Sequence, residues 1–380
     1  MTFAIDRLIV APGDIDLSRS PLAGHLDAET YVLGAFNPGM TRLANGNLLL
    51  MVRVAEALRH PIRDGHVHAI RWESGDGVRL NGGRYVLDTW PLEYADTADP
   101  RKFMLHGGDW KVMALTSLSW LLPVEISGDG MEVVAFHYDR AVAPTHDFQC
   151  YGVEDARISQ VAGRYLMTTC SVSPERHSTT LYGSDNGLDW SFEAIVLDHQ
   201  NKDMLIFEGL IDGQYWAQTR PLGDLYFAYP PGSEWRAGPS INLAHSPDAH
   251  FWKPWHKPGI RPHSATVATA RIGGGAPPIL TDEGWLTLWH GVEPKEIVGI
   301  YRTYWSLLDR DDPSIVLRTE HLPLLEANSG LTAPLEDLMY IRDVVFTTGI
   351  ADGGDHYVVA SGEADLACRI THIPKARFTA

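Results

Sequence analysis

A phrase that recurs five times constrains what this 380-residue chain can fold into. Each copy has a glycine-bearing turn followed by a run of bulky apolar residues, and the turn glycines are Gly46, Gly163, Gly213, Gly284 and Gly354. A turn glycine between two β-rich runs is typical of a β-hairpin. Five hairpins at intervals of 117, 50, 71 and 70 residues predict a repeat architecture with one large insertion.

The repeat predicts an all-β fold, a five-bladed β-propeller whose small sheets pack face to face around a central channel. One such unit needs nearly the whole chain, so we expect residues 1–380 to form a single domain. The rhythm breaks over residues 86–126, where we place an insertion that caps the channel or forms an oligomer contact. Residues 1–33 precede the first copy and are candidates to close the ring.

Charge and composition disfavour several classes of function. The net charge of −17 argues against binding to nucleic acid or anionic membranes, because both need clustered cations. The N-terminus does not resemble a secretory signal, and no apolar run approaches the roughly 18 residues of a membrane span. Three widely spaced cysteines, Cys150, Cys170 and Cys368, predict buried free thiols and a cytoplasmic protein.

Several polar residues stand where a plain hairpin would carry apolar ones. EDAR (154–157) heads the second copy, and a carboxylate between Glu and Arg at the mouth of a strand is a place where a pKa is readily perturbed. A structural salt bridge is the alternative interpretation. The cations Arg53, Arg176, Lys202 and Arg220 could converge on a phosphate or carboxylate, or could each be a solvated surface charge.

Other candidates are weaker. Glu208 lies inside an apolar strand, which suits a partnered structural carboxylate or a general base, and a lone histidine such as His290 is more often structural than catalytic. His66 and His68 have no third ligand near them in sequence, so no metal is expected, and no cofactor either. A GxSxG elbow, a P-loop and a GxGxxG after a strand are all missing from the sequence.

Taken together, the motifs resemble those of glycoside hydrolase family 130, which contains mannoside phosphorylases and some β-mannosidases. The resemblance spans roughly residues 34–365 and keeps the order of the motifs. These motifs are FNPG (36–39), EDAR (154–157), NKD (201–203), TRP (219–221), GGGAPPILTDEGWLTLWHGV (273–292), LLDRDDPS (307–314), DVVFTTG (343–349) and SGEAD (361–365). The most specific of them is the segment 273–292.

This resemblance implies a five-bladed propeller with its active site on the axis and cleavage of β-mannosidic bonds with inversion. It implies that Asp155 is the general acid, its proton passing through a hydroxyl of the mannosyl ring, and that Arg176 and Lys202 bind phosphate. It also implies substrate-binding roles for a set of polar residues, namely Asn37, Arg53, Glu154, Arg157, Asp203, Arg220, His290 and Asp365.

Three functions stay open on this evidence. Phosphorolysis would use inorganic phosphate and release mannose 1-phosphate from an oligosaccharide. Inverting hydrolysis would need a carboxylate base about 6.5–9.5 Å from the acid, for which Glu208 is the first candidate and Glu363 the second. A non-catalytic propeller that binds glycans or a protein is the third function. A furanosidase is a more distant alternative among enzymes. A homo-oligomer is compatible with each of these functions.

Overall fold

The computed structural model of the chain describes residues 3–75, 82–107, 110–197, 199–222, 240–261 and 271–379. In these ranges the structure is almost entirely β-strand and turn, so the predicted all-β class is confirmed. The helical segments are short. They are the α-helix Ser329–Thr332 and the 3-10 helices Pro12–Asp14, Leu17–Arg19, Leu92–Tyr94, Tyr138–Arg140, Asp147–Gln149, Ala333–Leu338 and Lys375–Arg377.

Five antiparallel sheets, numbered here in chain order, account for most of the described strands. Sheet 1 consists of Thr30–Arg42, Leu48–Leu58, Ser117–Ile126 and Val133–Phe136. Sheet 2 consists of Val153–Val161, Arg164–Val172, His177–Ser184 and Ser191–Ile195. Sheet 3 consists of Asn201–Ile206, Tyr215–Pro221, Asn242–Ser246 and Lys253–Pro254. Sheet 4 consists of Arg271–Gly274, Ile279–Thr281, Gly284–Glu293, Ile300–Leu308 and Val316–Thr319. Sheet 5 consists of Val345–Asp352, His356–Glu363, Ala367–Pro374 and Asp6–Val10.

The five repeated phrases form the predicted hairpins, one in each sheet. All five turn glycines have positive φ, between 70° and 140°. Side chains other than Asn and Asp rarely adopt this conformation, so the glycines that punctuate the sequence are the residues that the turns require.

The insertion lies earlier in the chain than predicted. It consists of two three-stranded sheets, Ile62–Arg63, His66–Glu73 and Arg84–Pro91, then Ala95–Asp96, Lys102–Gly107 and Trp110–Leu115. The assignment of residues 86–126 to the insertion was wrong at both ends. The inserted strands begin at Ile62, and Ser117–Ile126 belongs to sheet 1 because it pairs along its whole length with Leu48–Leu58. The pairing is hard to see in the sequence because both insertion sheets separate the two partner strands.

The apolar core lies between consecutive sheets, as the second strand of sheet 1 shows. Leu48, Leu50 and Val52 pack in the cluster shared with sheet 5, while Leu49 and Met51 pack in the cluster shared with sheet 2. Successive side chains of a strand point to opposite faces, so a strand buried on both faces reads as the continuous apolar run LLLMV. Each fully buried side chain of this kind contributes about 1.5–3 kcal/mol to folding.

The sheets contact one another in chain order through their first strands. The first strand of sheet 1 contacts that of sheet 2, and the same holds from sheet 2 to sheet 3 and from sheet 3 to sheet 4. Sheet 4 contacts Val345–Asp352 of sheet 5 through its longer strands, and Val345–Asp352 contacts Thr30–Arg42. Asp6–Val10 pairs with Ala367–Pro374, so sheet 5 joins segments from both ends of the sequence.

Two further expectations concern burial and membranes. Cys150, Cys170 and Cys368 are buried free thiols, as predicted. Within the described ranges, none of the helices has the length and apolar character needed to cross a membrane.

Candidate active site

The first strands of sheets 1, 2 and 3 share one irregularity. In sheets 1, 2 and 3 the pairing register shifts at a β-bulge, and the residues inside it are Asn37, Asp155 and Asp203. Their φ angles are 48°, 51° and 57°, in the left-handed region that Asn and Asp tolerate better than most residues. Because a bulge re-aims a side chain, one backbone device turns three polar groups toward a common point.

That point is a cavity of about 420 Å³, to which all five sheets and the insertion contribute. A cavity of this size is within the range of small-ligand sites. Its charged lining, among the described residues, comprises the cations Arg53, Arg101, Lys102, Lys202, Arg220 and Arg271 and the carboxylates Glu154, Asp155, Asp203 and Asp365.

Asp155 is held by groups from sheet 1. Its Oδ1 accepts hydrogen bonds from Asn37 Nδ2 and Arg53 Nη1, both at 3.0 Å, and the side chain is 11% exposed. Burial alone would raise the pKa of this carboxyl, but the charges of Arg53, Lys202 and Arg157 outweigh burial and hold the pKa well below its usual range. With these partners Asp155 is a carboxylate at neutral pH.

Glu154 joins two cations from different sheets. Its Oε1 accepts a hydrogen bond from Arg53 Nη2 at 2.9 Å, and its Oε2 accepts one from Lys202 Nζ at 3.1 Å. Burial opposes ionisation of Glu154 and of Lys202, yet the charges of Arg53 and Lys202 lower the pKa of Glu154, and the charge of Glu154 raises the pKa of Lys202. Lys202 therefore presents an ammonium group to the cavity beside Asp155.

Asp203 gathers a second cluster. Its Oδ1 lies 3.3 Å from Arg157 Nη2 and its Oδ2 lies 3.2 Å from Arg220 Nε. His290 of sheet 4 lies beside them, with Nε2 at 3.5 Å from Arg220 Nη1. Burial lowers the pKa of His290 to about 3, although Asp203 opposes the shift. The imidazole is therefore neutral, and it accepts at Nε2 from the arginine.

The glycine-rich motif of sheet 4 makes room for this cluster. A Cβ at Gly273 would lie 2.5 Å from His290 Cε1 and 2.7 Å from Asp203 Oδ2. Both distances are shorter than carbon and oxygen atoms tolerate, so a side chain at this position would displace the cluster. The GGG run is therefore a close-packing requirement of the site, in keeping with its lack of a phosphate-binding helix.

Asp365 differs from the other cavity carboxylates. It follows the second strand of sheet 5 with φ of 49°. Burial raises the pKa of Asp365 to about 6, with the charges of Asp155 and Glu154 adding to the effect and those of Arg53 and Arg101 opposing it. Its protonation therefore changes close to neutral pH.

Most of the predicted site residues meet at this cavity. Arg157 lies behind the lining: its side chain is 1% exposed, bonds to Asp203, and places its guanidinium 5.0 Å from the ring centroid of Phe346. The predicted residues that line the cavity are Asn37, Arg53, Glu154, Asp155, Lys202, Asp203, Arg220, His290 and Asp365.

Arg176 does not face the cavity. Its side chain is 49% exposed and lies 3.7 Å from Glu175, whereas the next residue, His177, lines the cavity. Successive side chains of extended chain point to opposite sides, so Arg176 points outward where His177 points inward. Of the two predicted phosphate ligands, both of them described, the structure brings Lys202 alone to the cavity.

The two candidate bases for hydrolysis also lie elsewhere. Glu208 Oε1 accepts a hydrogen bond from the Gln160 amide at 3.3 Å, and Gln160 lies five positions along the strand from Asp155. At about 3.3 Å per residue, the backbone positions of Gln160 and Asp155 are at most roughly 16 Å apart, because the bulge at Asp155 shortens the strand. Glu363 is 1% exposed and bonded to Arg369 at 2.8 Å. Neither carboxylate is among the described residues of the cavity wall.

Glu208→Gln should stabilise the protein at alkaline pH. Burial raises the pKa of Glu208 to about 7, and the hydrogen bond from Gln160 offsets it in part. In the unfolded chain the pKa returns to about 4.3, so the unfolded state loses the proton first as the pH rises and the free energy of unfolding falls through this window. In urea titrations at pH 8, the variant should gain on the order of 2 kcal/mol in free energy of unfolding.

At pH 4 the same variant should show little gain, because the carboxyl is protonated in both states. Glu283→Gln, in an exposed turn, is the matched control and should change stability little at either pH. An equal gain for Glu208→Gln at both pH values would contradict the titration argument.

Sequence reasoning missed the part of the wall that the insertion supplies. Arg101, Lys102, Met113 and Leu115 line the cavity. Two adjacent cations in a segment rich in Asp, Pro and aromatic residues were a visible signal, but no local pattern says which way an inserted sheet folds back. Arg271, Tyr301 and Tyr340 were missed for the same reason, since a tertiary approach brings them in.

Comparison with known proteins supports the resemblance read from the motifs. The model of glycoside hydrolase family 130, described as beta-1,4-mannooligosaccharide phosphorylase, matches residues 113–378. The chain is 32% identical over 370 residues to a beta-1,2-mannobiose phosphorylase of Listeria innocua, covering 92% of each protein. It is 33% identical over 217 residues to a 1,2-beta-oligomannan phosphorylase of Thermoanaerobacter sp., covering 56% of this chain and 65% of that protein.

Solved structures agree with the sequence comparison. The structure of the Listeria innocua beta-1,2-mannobiose phosphorylase in complex with beta-1,2-mannobiose has a TM-score of 0.77 at 28% identity. The structural match covers 97% of this chain and 95% of the Listeria innocua chain. The family match extends over more than half of the chain, and the resemblance predicted from the motifs is confirmed: the chain belongs to glycoside hydrolase family 130.

Proposed function

We propose that the protein is an inverting β-mannoside phosphorylase that cleaves β-1,2-linked mannooligosaccharides with inorganic phosphate and releases mannose 1-phosphate. The observation that carries this proposal is the charge of the cavity. Its described lining holds six Lys or Arg side chains and four carboxylates, an excess of two positive charges in a chain of net charge −17. A neutral sugar does not need this excess, whereas a phosphate anion is bound by it.

We also propose that residues 1–380 form one catalytic domain, a five-bladed propeller with the cavity on its axis. The order of contacts between the first strands supports this arrangement. So does the pairing of Asp6–Val10 with Ala367–Pro374, which would join the last blade to the start of the chain. Each interval between sheets holds an apolar cluster, as packed blades require.

In the proposed reaction Asp155 is the general acid and phosphate is the nucleophile. A phosphate oxygen bonds to the anomeric carbon from the face opposite the glycosidic oxygen, and the bond from that carbon to the glycosidic oxygen breaks. The proton of Asp155, passed through a mannosyl hydroxyl, ends on the leaving oxygen. The products are α-mannose 1-phosphate and a chain one sugar shorter, and Asp155 regains a proton from solvent.

Lys202 connects phosphate binding with the protonation of Asp155. Its ammonium group helps to keep Asp155 ionised, so an anion that draws on the charge of Lys202 weakens that effect. Phosphate binding would thus raise the pKa of Asp155 and favour the protonated form that the acid step needs. The relatives matched over most of the chain use β-1,2-linked substrates, which is why this linkage is proposed first.

Hydrolysis is the competing chemistry, and it needs a base about 6.5–9.5 Å from the acid. Glu154 and Asp203 are each held by two cations, and Glu208 and Glu363 lie outside the cavity wall. Asp365 is the carboxylate of the described lining that would have to serve, and its pKa near 6 leaves it ionised at neutral pH.

The test is product analysis with and without phosphate. We expect β-1,2-mannobiose to yield mannose 1-phosphate and mannose when phosphate is present, and mannose 1-phosphate plus mannose to yield mannobiose in reverse. β-1,4-Mannobiose in parallel reports the linkage. Cleavage to free mannose at the same rate without phosphate would establish hydrolysis, and binding without any turnover would establish a non-catalytic propeller.

A cytoplasmic site of action completes the proposal. Phosphorolysis conserves the energy of the glycosidic bond in mannose 1-phosphate, which is useful to a cell when the product is formed inside it. Three buried free thiols suit a reducing compartment. Inorganic phosphate is the proposed co-substrate, and the proposed step requires no metal or organic cofactor.

A further inference from the structure

We infer that Glu154 is a positioning residue rather than a substrate ligand: its charge weakens the hold of Lys202 on phosphate and at the same time helps Asp155 to take up the proton of the acid step. The family resemblance implied a substrate-binding role for Glu154, and the contacts of its side chain favour a different one. The inference rests on the proposed function, because it concerns the phosphate and the acid of that reaction.

Both carboxylate oxygens of Glu154 are engaged by cations of the protein. Oε1 accepts a hydrogen bond from Arg53 Nη2 at 2.9 Å, and Oε2 accepts one from Lys202 Nζ at 3.1 Å. The side chain is 4% exposed, so a sugar hydroxyl finds little of this carboxylate to bind although Glu154 belongs to the cavity wall. Glu154 therefore acts on a ligand through the two cations.

The β-bulge of sheet 2 places Glu154 and Asp155 on the same cation. Successive side chains of a regular strand point to opposite faces. Glu154 pairs with Cys170 in the regular register, whereas Asp155 lies inside the bulge with φ of 51°. Both carboxylates consequently bond to Arg53, at 2.9 and 3.0 Å. Two carboxylates held on one cation oppose each other's ionisation, so the charge of Glu154 favours the protonated form of Asp155.

The charges of these four side chains cancel. Arg53 and Lys202 are cations, and Glu154 and Asp155 are carboxylates that bond to them. Each of the three nitrogens of the Arg53 guanidinium donates within the protein, to Asp155, Glu154 and Ser119. The Lys202 ammonium has further N–H groups besides the one that it donates to Glu154, so Lys202 is the cation of this group that phosphate can reach.

Glu154 acts on phosphate and on the acid in opposite directions. Its negative charge repels a phosphate bound to Lys202, which raises the KM for phosphate. The same charge opposes the lowering of the Asp155 pKa by Arg53 and Lys202, so the acid carries its proton more of the time. A substitution that removes the charge should therefore improve phosphate binding and impair the acid step, a combination that loss of a stabilising salt bridge does not produce.

Other titratable and charged groups surround Glu154 and Asp155. They are Arg157, Cys170 and His177 of sheet 2, Asp203 of sheet 3 and Asp365 of sheet 5. Asp365 also responds to the charge of Glu154, and burial raises its pKa to about 6. The pH profile is therefore compared above pH 7, where Asp365 is largely ionised with or without that charge.

The experiment replaces Glu154 with glutamine, which keeps the shape of the side chain and an acceptor for Arg53 but removes the charge. With saturating β-1,2-mannobiose at about pH 7.5, we expect Glu154→Gln to lower the KM for phosphate about fivefold and kcat about tenfold, since a shift of one pKa unit is a tenfold change in protonation. The alkaline limb of the kcat profile should move to lower pH by about one unit.

Two variants separate this role from a purely structural one. Glu193→Gln is the matched control, because Glu193 lies on the same sheet, pairs with Arg164 at 2.5 Å and is outside the described cavity wall; it should change neither the KM for phosphate nor the limb. Glu154→Asp keeps the charge and should leave the limb within about 0.3 units of that of the natural protein. A raised KM and a lowered kcat in both Glu154 variants, with the limb unmoved, would overturn the inference.

If Glu154→Gln fails to fold, the comparison is made without Lys202. Lys202→Met is set against the double variant Glu154→Gln with Lys202→Met, in which Lys202 is not left without its carboxylate. The alkaline limb of the double variant should lie about one unit below that of Lys202→Met, and coincident limbs would overturn the inference. Failure of the proposed function would overturn it as well, and would be recognised because the natural protein itself would yield no mannose 1-phosphate.

Discussion

Asp155→Asn should lower kcat for phosphorolysis by about 10³-fold while the protein stays folded and binds sugar. The amide has nearly the shape of the carboxyl, can still accept a hydrogen bond from Arg53, and tolerates the left-handed φ of 51° at this position. It has no proton to give to the leaving oxygen. The measurements are kcat with β-1,2-mannobiose at saturating phosphate and calorimetric binding of the same sugar.

A change of leaving group sharpens this prediction. An aryl β-mannoside whose phenol is acidic leaves without protonation, so the loss caused by Asp155→Asn should shrink to within about tenfold. Asp212→Asn is the matched control, because Asp212 also has left-handed φ, at 49°, but lies in an exposed turn of sheet 3. Retention of wild-type kcat by Asp155→Asn would remove the general acid from the proposal.

The fold was predictable where local chemistry sets the structure. Turn glycines such as Gly46 and Gly354 mark hairpins because their backbone requires positive φ, and this signal is visible in a single sequence. The insertion boundary was not predictable in the same way. Ser117–Ile126 returns to sheet 1 after two inserted sheets, and such long-range pairing leaves no trace in neighbouring residues.

The site residues, too, were predictable where a local motif marks them and not where the tertiary structure places them. Asn37, Asp155 and Asp203 could be singled out because each lies within a recognisable motif on the first strand of a sheet. Arg176 could not be excluded from sequence, because its direction depends on which of two adjacent side chains the strand turns inward. Arg101 was missed because its place at the wall depends on how the insertion folds back.

Lys202→Met should raise the KM for phosphate by about 100-fold, the effect of one charge-assisted contact of about 2–3 kcal/mol. It should also move the alkaline limb of the pH profile to higher pH. Lys202 lowers the pKa of Asp155, so removing the ammonium raises that pKa, and the acid keeps its proton to a higher pH. Both effects are read from initial rates of phosphorolysis across phosphate concentration and pH.

Two further variants separate charge from structure. Lys202→Arg keeps the cation beside Glu154 and should leave the pH profile close to that of the natural protein, with a smaller rise in KM. Lys257→Met removes a surface lysine that pairs with Asp312 at 2.8 Å and should change neither quantity.

If Lys202→Met left the KM for phosphate unchanged, the anion would have to bind at the other side of the cavity. Arg220 and Arg271 would then be the cations to test, since both line the wall there. A shifted pH profile without a change in KM would mean that Lys202 acts on the acid alone.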